Sequence, residues 1–156
     1  VISKVINTHD EFKFGWDKSG SLIQWDYISP YYADFHREDS RFVKLVTEYS
    51  DDLSEFHARF LADRERYRTL RAFDLTDIPP NTFDVSCLPW VKYKSFDIHV
   101  FDEGRYLAPV VTWGKYETES NRTILPLSMN IHHAVADGFH LCRFFNEVQE
   151  MIDSLS

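Results

Sequence analysis

The sequence predicts an α/β (α+β) fold, a mixed β-sheet flanked by helices on one face, and three features predict it. Between residues 51 and 70, Leu53, Phe56, Phe60, Tyr67 and Leu70 recur at three- and four-residue steps, the period of an amphipathic helix. Four β-like runs follow: Phe83–Leu88, Phe96–Phe101, Ala108–Trp113 and Thr123–His132, expected in one sheet. After Gly138, Leu141, Phe145, Val148 and Ile152 form an apolar stripe at helical spacing, with Arg143, Glu147 and Glu150 off it. Helical faces on either side of a block of strands call for two packed layers.

The remaining elements follow in chain order. Val1, Ile2, Val5 and Ile6 have the spacing of the last turns of an amphipathic helix that stops before Asp10. Phe12–Trp16 and Leu22–Tyr27 flank the polar, glycine-bearing turn Asp17-Lys18-Ser19-Gly20-Ser21, which predicts a hairpin. Tyr31–His36 reads as a further strand. Asp51 and Asp52 suit the positive end of the helix that follows them. The turn-rich Ile78-Pro79-Pro80-Asn81 separates that helix from the β-like runs. Neither repeats nor low-complexity stretches interrupt the pattern, so residues 1–156 are expected to form a single domain.

A net charge of −8 excludes a nucleic-acid or anionic-membrane surface, because both need clustered Lys and Arg. The most basic stretch, Arg64 to Arg71, is interleaved with Asp63, Glu65 and Tyr67 and reads as a solvated helix face. Aromatic residues make up 16% of the chain, which points to broad flat surfaces buried in a core, in a ligand pocket or between subunits. Cys87 and Cys142 lie in apolar runs without a Cys-x-x-Cys spacing, and both are expected to be buried thiols in a cytoplasmic protein. The run Val1-Ile2-Ser3-Lys4-Val5-Ile6 is too short and polar for a signal or a membrane span. Asn121-Arg122-Thr123 matches a glycosylation sequon and reads as a chance match in a turn.

Chemistry concentrates in His132-His133-Ala134-Val135-Ala136-Asp137-Gly138, at a predicted strand-to-helix junction. Adjacent strand residues face opposite ways, so only one of the two histidines can face a given cavity. A histidine there suits a general base, since its ordinary pKa lies near working pH. Asp137 suits a helix N-cap, and Gly138 permits close backbone approach. Two other readings stand beside this one: a capped turn with a packed histidine, and a metal site of His133, Asp137 and His140. The metal site has poor geometry, because its ligands straddle two elements without an i, i+4 histidine pair.

The run from His132 to His140 resembles the coenzyme A-dependent acyltransferase superfamily, and specifically the chloramphenicol acetyltransferase family. So do Asn81-Thr82-Phe83-Asp84-Val85-Ser86 with Leu88-Pro89-Trp90, Thr112-Trp113-Gly114-Lys115-Tyr116 and Asn146-Glu147-Val148-Gln149-Glu150, in the same order. His9-Asp10-Glu11-Phe12 and Phe35-His36 through Phe42 extend the resemblance over essentially the whole chain. It implies a chloramphenicol acetyltransferase-like two-layer sandwich and acetyl transfer from acetyl-CoA to chloramphenicol or a related alcohol, without a metal.

By the same resemblance His133 is the catalytic base, its imidazole held by its own backbone carbonyl, and Ser86 donates to the oxyanion. Asp137 is structural and paired with an arginine. Trp90, Thr112 and Tyr116 line the coenzyme A channel, and Phe42, Ile98 and Val110 wall the acceptor pocket. The assembly implied is a homotrimer with active sites between subunits. Ala136 stands where family members often carry cysteine. The family's usual chain is longer before the position of Val1, so an N-terminally truncated domain is expected, lacking the arginine partner of Asp137 and part of the acceptor site. A catalytically impaired oligomer that keeps the fold is the alternative function.

Overall fold

The computed structural model describes residues 1–69, 78–100 and 102–155. Helix α1 (Ile2–Thr8) leads through a 3₁₀ turn (Asp10–Phe12) into the hairpin β1 (Phe14–Trp16) and β2 (Leu22–Gln24). Strands β3 (Ser29–His36) and β4 (Arg41–Val46) precede helix α2 (Leu53–Tyr67). Then come β5 (Thr82–Leu88), β6 (Val110–Gly114), β7 (Glu117–Glu119), β8 (Arg122–Ile124), β9 (Leu127–Asn130) and the closing helix α3 (Gly138–Ser154).

The main sheet has the order β4-β3-β5-β6-β9. Strand β3 runs parallel to β5, and β5 to β6, while β4 and β9 are antiparallel edges. The mixed pattern follows from the connections: a helix carries the chain from β4 to β5, and a long segment carries it from β5 to β6.

Strand alternation divides the residues between two faces. Phe83, Val111 and Met129 point toward the helices and join Val5, Ile6, Phe12, Phe144 and Val148 in one buried cluster. Asn7 ties α1 to the sheet: its amide donates to the Ile28 carbonyl (2.9 Å), and its carbonyl accepts from the Ile28 N–H (2.8 Å). Helix α2 docks on the same face, where the Phe60 ring meets Tyr32 and Arg64 pairs with Asp34. Among the described residues the opposite face carries no helix. Over it passes the segment between β5 and β6, held where the Tyr93 hydroxyl donates to the Thr112 carbonyl (2.8 Å) and the Tyr106 hydroxyl to Asp84 (2.6 Å).

The structure corrects several sequence expectations. Residues 96–100 form no strand, and Phe101 lies outside the described residues, as do Leu70 and Arg71. The run Thr123–His132 splits at Leu125-Pro126, and its first part pairs as β8 with β7 in a separate ribbon, across a two-residue turn in which Ser120 and Asn121 both take positive φ. Only β9 joins the main sheet. Strand β4, not expected from the sequence, supplies one sheet edge.

On α3 the buried residues are Phe144 and Val148, with Ile152 at 48% exposure, so the buried stripe is rotated from the one predicted. Cys142 lies on the outer side of that rotated stripe and is exposed, while Cys87 is half-buried. Helix α2 has no fully buried residue.

A cavity of about 1360 Å³ lies on the helix side between α2 and α3. Phe56, Phe60, Phe145 and Val148 form its walls, and β5 from Val85 to Cys87 forms part of its floor. No helix among the described residues is long and apolar enough to cross a membrane.

Candidate active site

After β9 the chain turns tightly through residues 131–137 into α3, and the histidine pair lies in this turn rather than on the strand. Strand alternation therefore does not decide which histidine faces outward. The turn winds around His132: its carbonyl accepts from the amides of Val135 (3.1 Å) and Ala136 (3.4 Å), and its Nδ1 accepts from the Ala134 N–H (3.1 Å). His132 is thereby committed to the loop, and His133 is left exposed.

His133 Nδ1 lies 3.1 Å from the Ala136 carbonyl oxygen, not bonded to the histidine's own carbonyl as the resemblance implies. A carbonyl only accepts, so Nδ1 carries the proton and the neutral ring keeps its lone pair on Nε2.

Asp137 caps α3. Its carboxylate accepts from the amides of Phe139 (2.9 Å) and His140 (3.4 Å), and the His140 ring closes the box on the Asp137 N–H (3.1 Å). The only ion pair of Asp137 among the described residues is with His140, at 2.7 Å, and no arginine meets it. What burial there is raises its pKa, but the hydrogen bonds from His140 and the two amides outweigh this and hold the carboxyl below its ordinary range. An exposed carboxylate that accepts from two helix amides needs no arginine. His133, Asp137 and His140 form no ligand group, since each ring already serves a different backbone partner, and no cluster of three or more potential ligands occurs among the described residues.

Ser86 occupies the middle of β5, in register with Thr112 on β6 and through it with Ser128 on β9. By alternation its hydroxyl belongs to the helix-free face, together with Asp84, Leu88, Val110 and Thr112. It is not close to His133. Two strand spacings, about 10 Å, separate Ser86 from Ser128, and His133 lies five residues beyond Ser128. Within one chain the two residues are therefore apart.

The other predicted site residues divide between this face and one end of the sheet. Trp90, 57% exposed, and Tyr116, 67% exposed, follow the adjacent exits of β5 and β6, where Leu88 pairs with Gly114. Trp90 also packs edge-on against Phe35 (5.2 Å) and Phe42 (6.3 Å), which brings a predicted channel residue onto a predicted acceptor wall. Thr112 is only 2% exposed, beneath Tyr93. Val110 is buried at 5%, and Ile98 is half-buried in the segment over the face.

Sequence reasoning missed one polar cluster here. Lys44 Nζ donates to Asp84 Oδ1 (2.7 Å) and lies 3.7 Å from the Tyr31 ring centroid, while Tyr106 donates to Asp84 Oδ2 (2.6 Å). Burial first, and the Asp84 charge second, raise the Tyr106 pKa and keep the phenol protonated. The i, i+2 spacings Phe42–Lys44 and Asp84–Ser86 were the available signal, but β4 had to be recognised before it could be used.

Comparison with known proteins agrees with this architecture. The family model for chloramphenicol acetyltransferase matches residues 1–149. A chloramphenicol acetyltransferase of Clostridium butyricum is 40% identical over 152 residues, 97% of this chain and 69% of the relative. Chloramphenicol acetyltransferase 3 of Escherichia coli is 39% identical over 155 residues, 99% of this chain and 72% of the relative.

Among solved structures, a chloramphenicol acetyltransferase superimposes with a TM-score of 0.78 at 20% identity, covering 96% of this chain and 72% of the other. A truncated catalytic core of the 2-oxoacid dehydrogenase multienzyme complex from Thermoplasma acidophilum follows with a TM-score of 0.66 at 16% identity, covering 96% and 69%. At these identities the superpositions show a shared fold.

Proposed function

The chain belongs to the chloramphenicol acetyltransferase family, and from that premise we propose that it transfers the acetyl group of acetyl-CoA to a hydroxyl of chloramphenicol or a related small alcohol. The observation that carries this reading is the His133 ring, with Nδ1 on the Ala136 carbonyl and Nε2 left as a base in an exposed turn. Nε2 takes the hydroxyl proton as the alcohol oxygen attacks the thioester carbonyl. The tetrahedral oxyanion receives a hydrogen bond from the Ser86 hydroxyl. The C–S bond then breaks, the imidazolium returns its proton to the departing thiolate, and the acetyl ester and free thiol leave. Asp137 holds the turn by capping α3 and takes no part in proton transfer.

Trp90 and Tyr116 offer their exposed faces to coenzyme A, with Thr112 supporting the strand beneath, and Phe42, Ile98 and Val110 wall the acceptor. The separation of Ser86 from His133 within one chain supports a homotrimer in which one copy supplies the base and its neighbour the oxyanion donor. Residues 1–156 act as one domain in each copy.

Thiol release from acetyl-CoA with chloramphenicol tests this. His133→Ala is expected to slow it on the order of 10²- to 10⁴-fold. Equal rates in both proteins would sink the reading, and coenzyme A binding without turnover of any alcohol would favour the impaired oligomer.

A further inference from the structure

The polar cluster on the helix-free face bears on which alcohols the site takes. Alternation along β4 puts Lys44 on the same face as Phe42, and alternation along β5 puts Asp84 beside Ser86, so the ammonium shares one face of the sheet with the proposed acceptor wall and the proposed oxyanion donor. The Lys44 side chain is 22% exposed and that of Asp84 26%, so the pair is shielded yet not sealed.

An ammonium has three N–H donors. One is given to Asp84 and the π-face of Tyr31 lies below, which leaves a third N–H that neither of these contacts uses, on a side chain that is 22% exposed. The carboxylate is engaged from both oxygens, by Lys44 and by the protonated Tyr106. The cluster therefore presents a donor to whatever rests on this face. An aliphatic residue at position 44 would leave the wall apolar and indifferent to such groups.

We propose that Lys44 is a specificity-determining residue of the acceptor site, donating a hydrogen bond to an electron-rich oxygen (carbonyl, nitro or carboxylate) carried by the hydroxylated acceptor. Asp84 and Tyr106 are positioning residues that hold the ammonium. This inference rests on the reading of the helix-free face as the acceptor site. It selects among alcohols: those bearing such an oxygen are favoured over isosteres in which a methyl group replaces it.

The test compares 4-nitrobenzyl alcohol with 4-methylbenzyl alcohol, by kcat/KM and by equilibrium binding in titration calorimetry. The wild-type chain is expected to favour the nitro compound about 10- to 100-fold, the scale of a hydrogen bond to a charged group. Lys44→Met is expected to bring the ratio close to one.

Because Lys44→Met strands the Asp84 charge, the double variant Lys44→Met/Asp84→Asn is measured beside it, with the thermal transition of each as the folding control. A preference that persists in the folded double variant overturns the inference, as does a wild-type chain that shows no preference. Loss of turnover in every protein, with the binding preference still dependent on Lys44, would instead overturn the acetyl-transfer reading alone.

Discussion

At Asp137 one side chain decides how the proposed base is presented, because the cap fixes where α3 begins and hence where the Ala136 carbonyl meets His133. Its carboxyl is held below the ordinary value of 3.8, so it stabilises the fold fully above that pH and loses the contribution as the pH falls through the lower folded value. Asp137→Ala is expected to lower the urea midpoint at pH 7, and Asp137→Asn to keep most of it, since asparagine caps nearly as well. The difference between wild type and Asp137→Asn should shrink as the pH is taken below the carboxyl's ordinary value of 3.8, which urea titrations at neutral and acid pH will show. The two thiols differ as well. Burial raises the pKa of Cys87, whereas Cys142 is exposed, so iodoacetamide at neutral pH is expected to label Cys142 first, as peptide mass mapping will report. Equal labelling would contradict the shielding described for Cys87.

Among the elements, the segment between β5 and β6 decides what covers the helix-free face, and Gly114 decides how closely it lies. A Cβ at Gly114 would fall 2.7 Å from Cε1 of Tyr93 and 2.9 Å from Cγ of Pro126. Gly114→Ala must push the Tyr93 ring off the hydroxyl contact it makes with Thr112, at a cost of about 1–3 kcal/mol in urea unfolding. An unchanged midpoint would show that the segment yields freely. The helices α1, α2 and α3 were legible in sequence because their apolar periods run for several turns, and the first hairpin because its turn carries glycine. Strand β4 was not legible. It is six residues long, and Arg41 and Lys44 interrupt its apolar pattern, the latter held by an ion pair from another strand. Phe96 and Ile98 read as strand for the converse reason, as aromatic and branched residues that pack over a sheet without joining it. The site was legible as a motif, but the bond that orients His133 was not, because it depends on a turn that places residue 136 against residue 133.

For the whole molecule, the proposed division of Ser86 and His133 between neighbouring copies makes activity an expected property of the assembly. Sedimentation equilibrium is expected to give a mass three times that of the 18.5 kDa chain, and specific activity should fall on dilution as copies separate. A monomer at every concentration with full activity would remove the shared site. The cavity of about 1360 Å³ beside α2 has a calorimetric consequence. Walls left open to solvent in the folded state would bring less new hydrocarbon into water on unfolding than is usual for 156 residues. The heat-capacity increment should fall below the roughly 2 kcal/mol/K that chains of this size show, which flattens the stability curve and weakens the tendency to cold denaturation. Any apolar compound that settles between Phe60 and Phe145 would dehydrate those walls, steepen the curve again and bind with a negative heat-capacity change of its own.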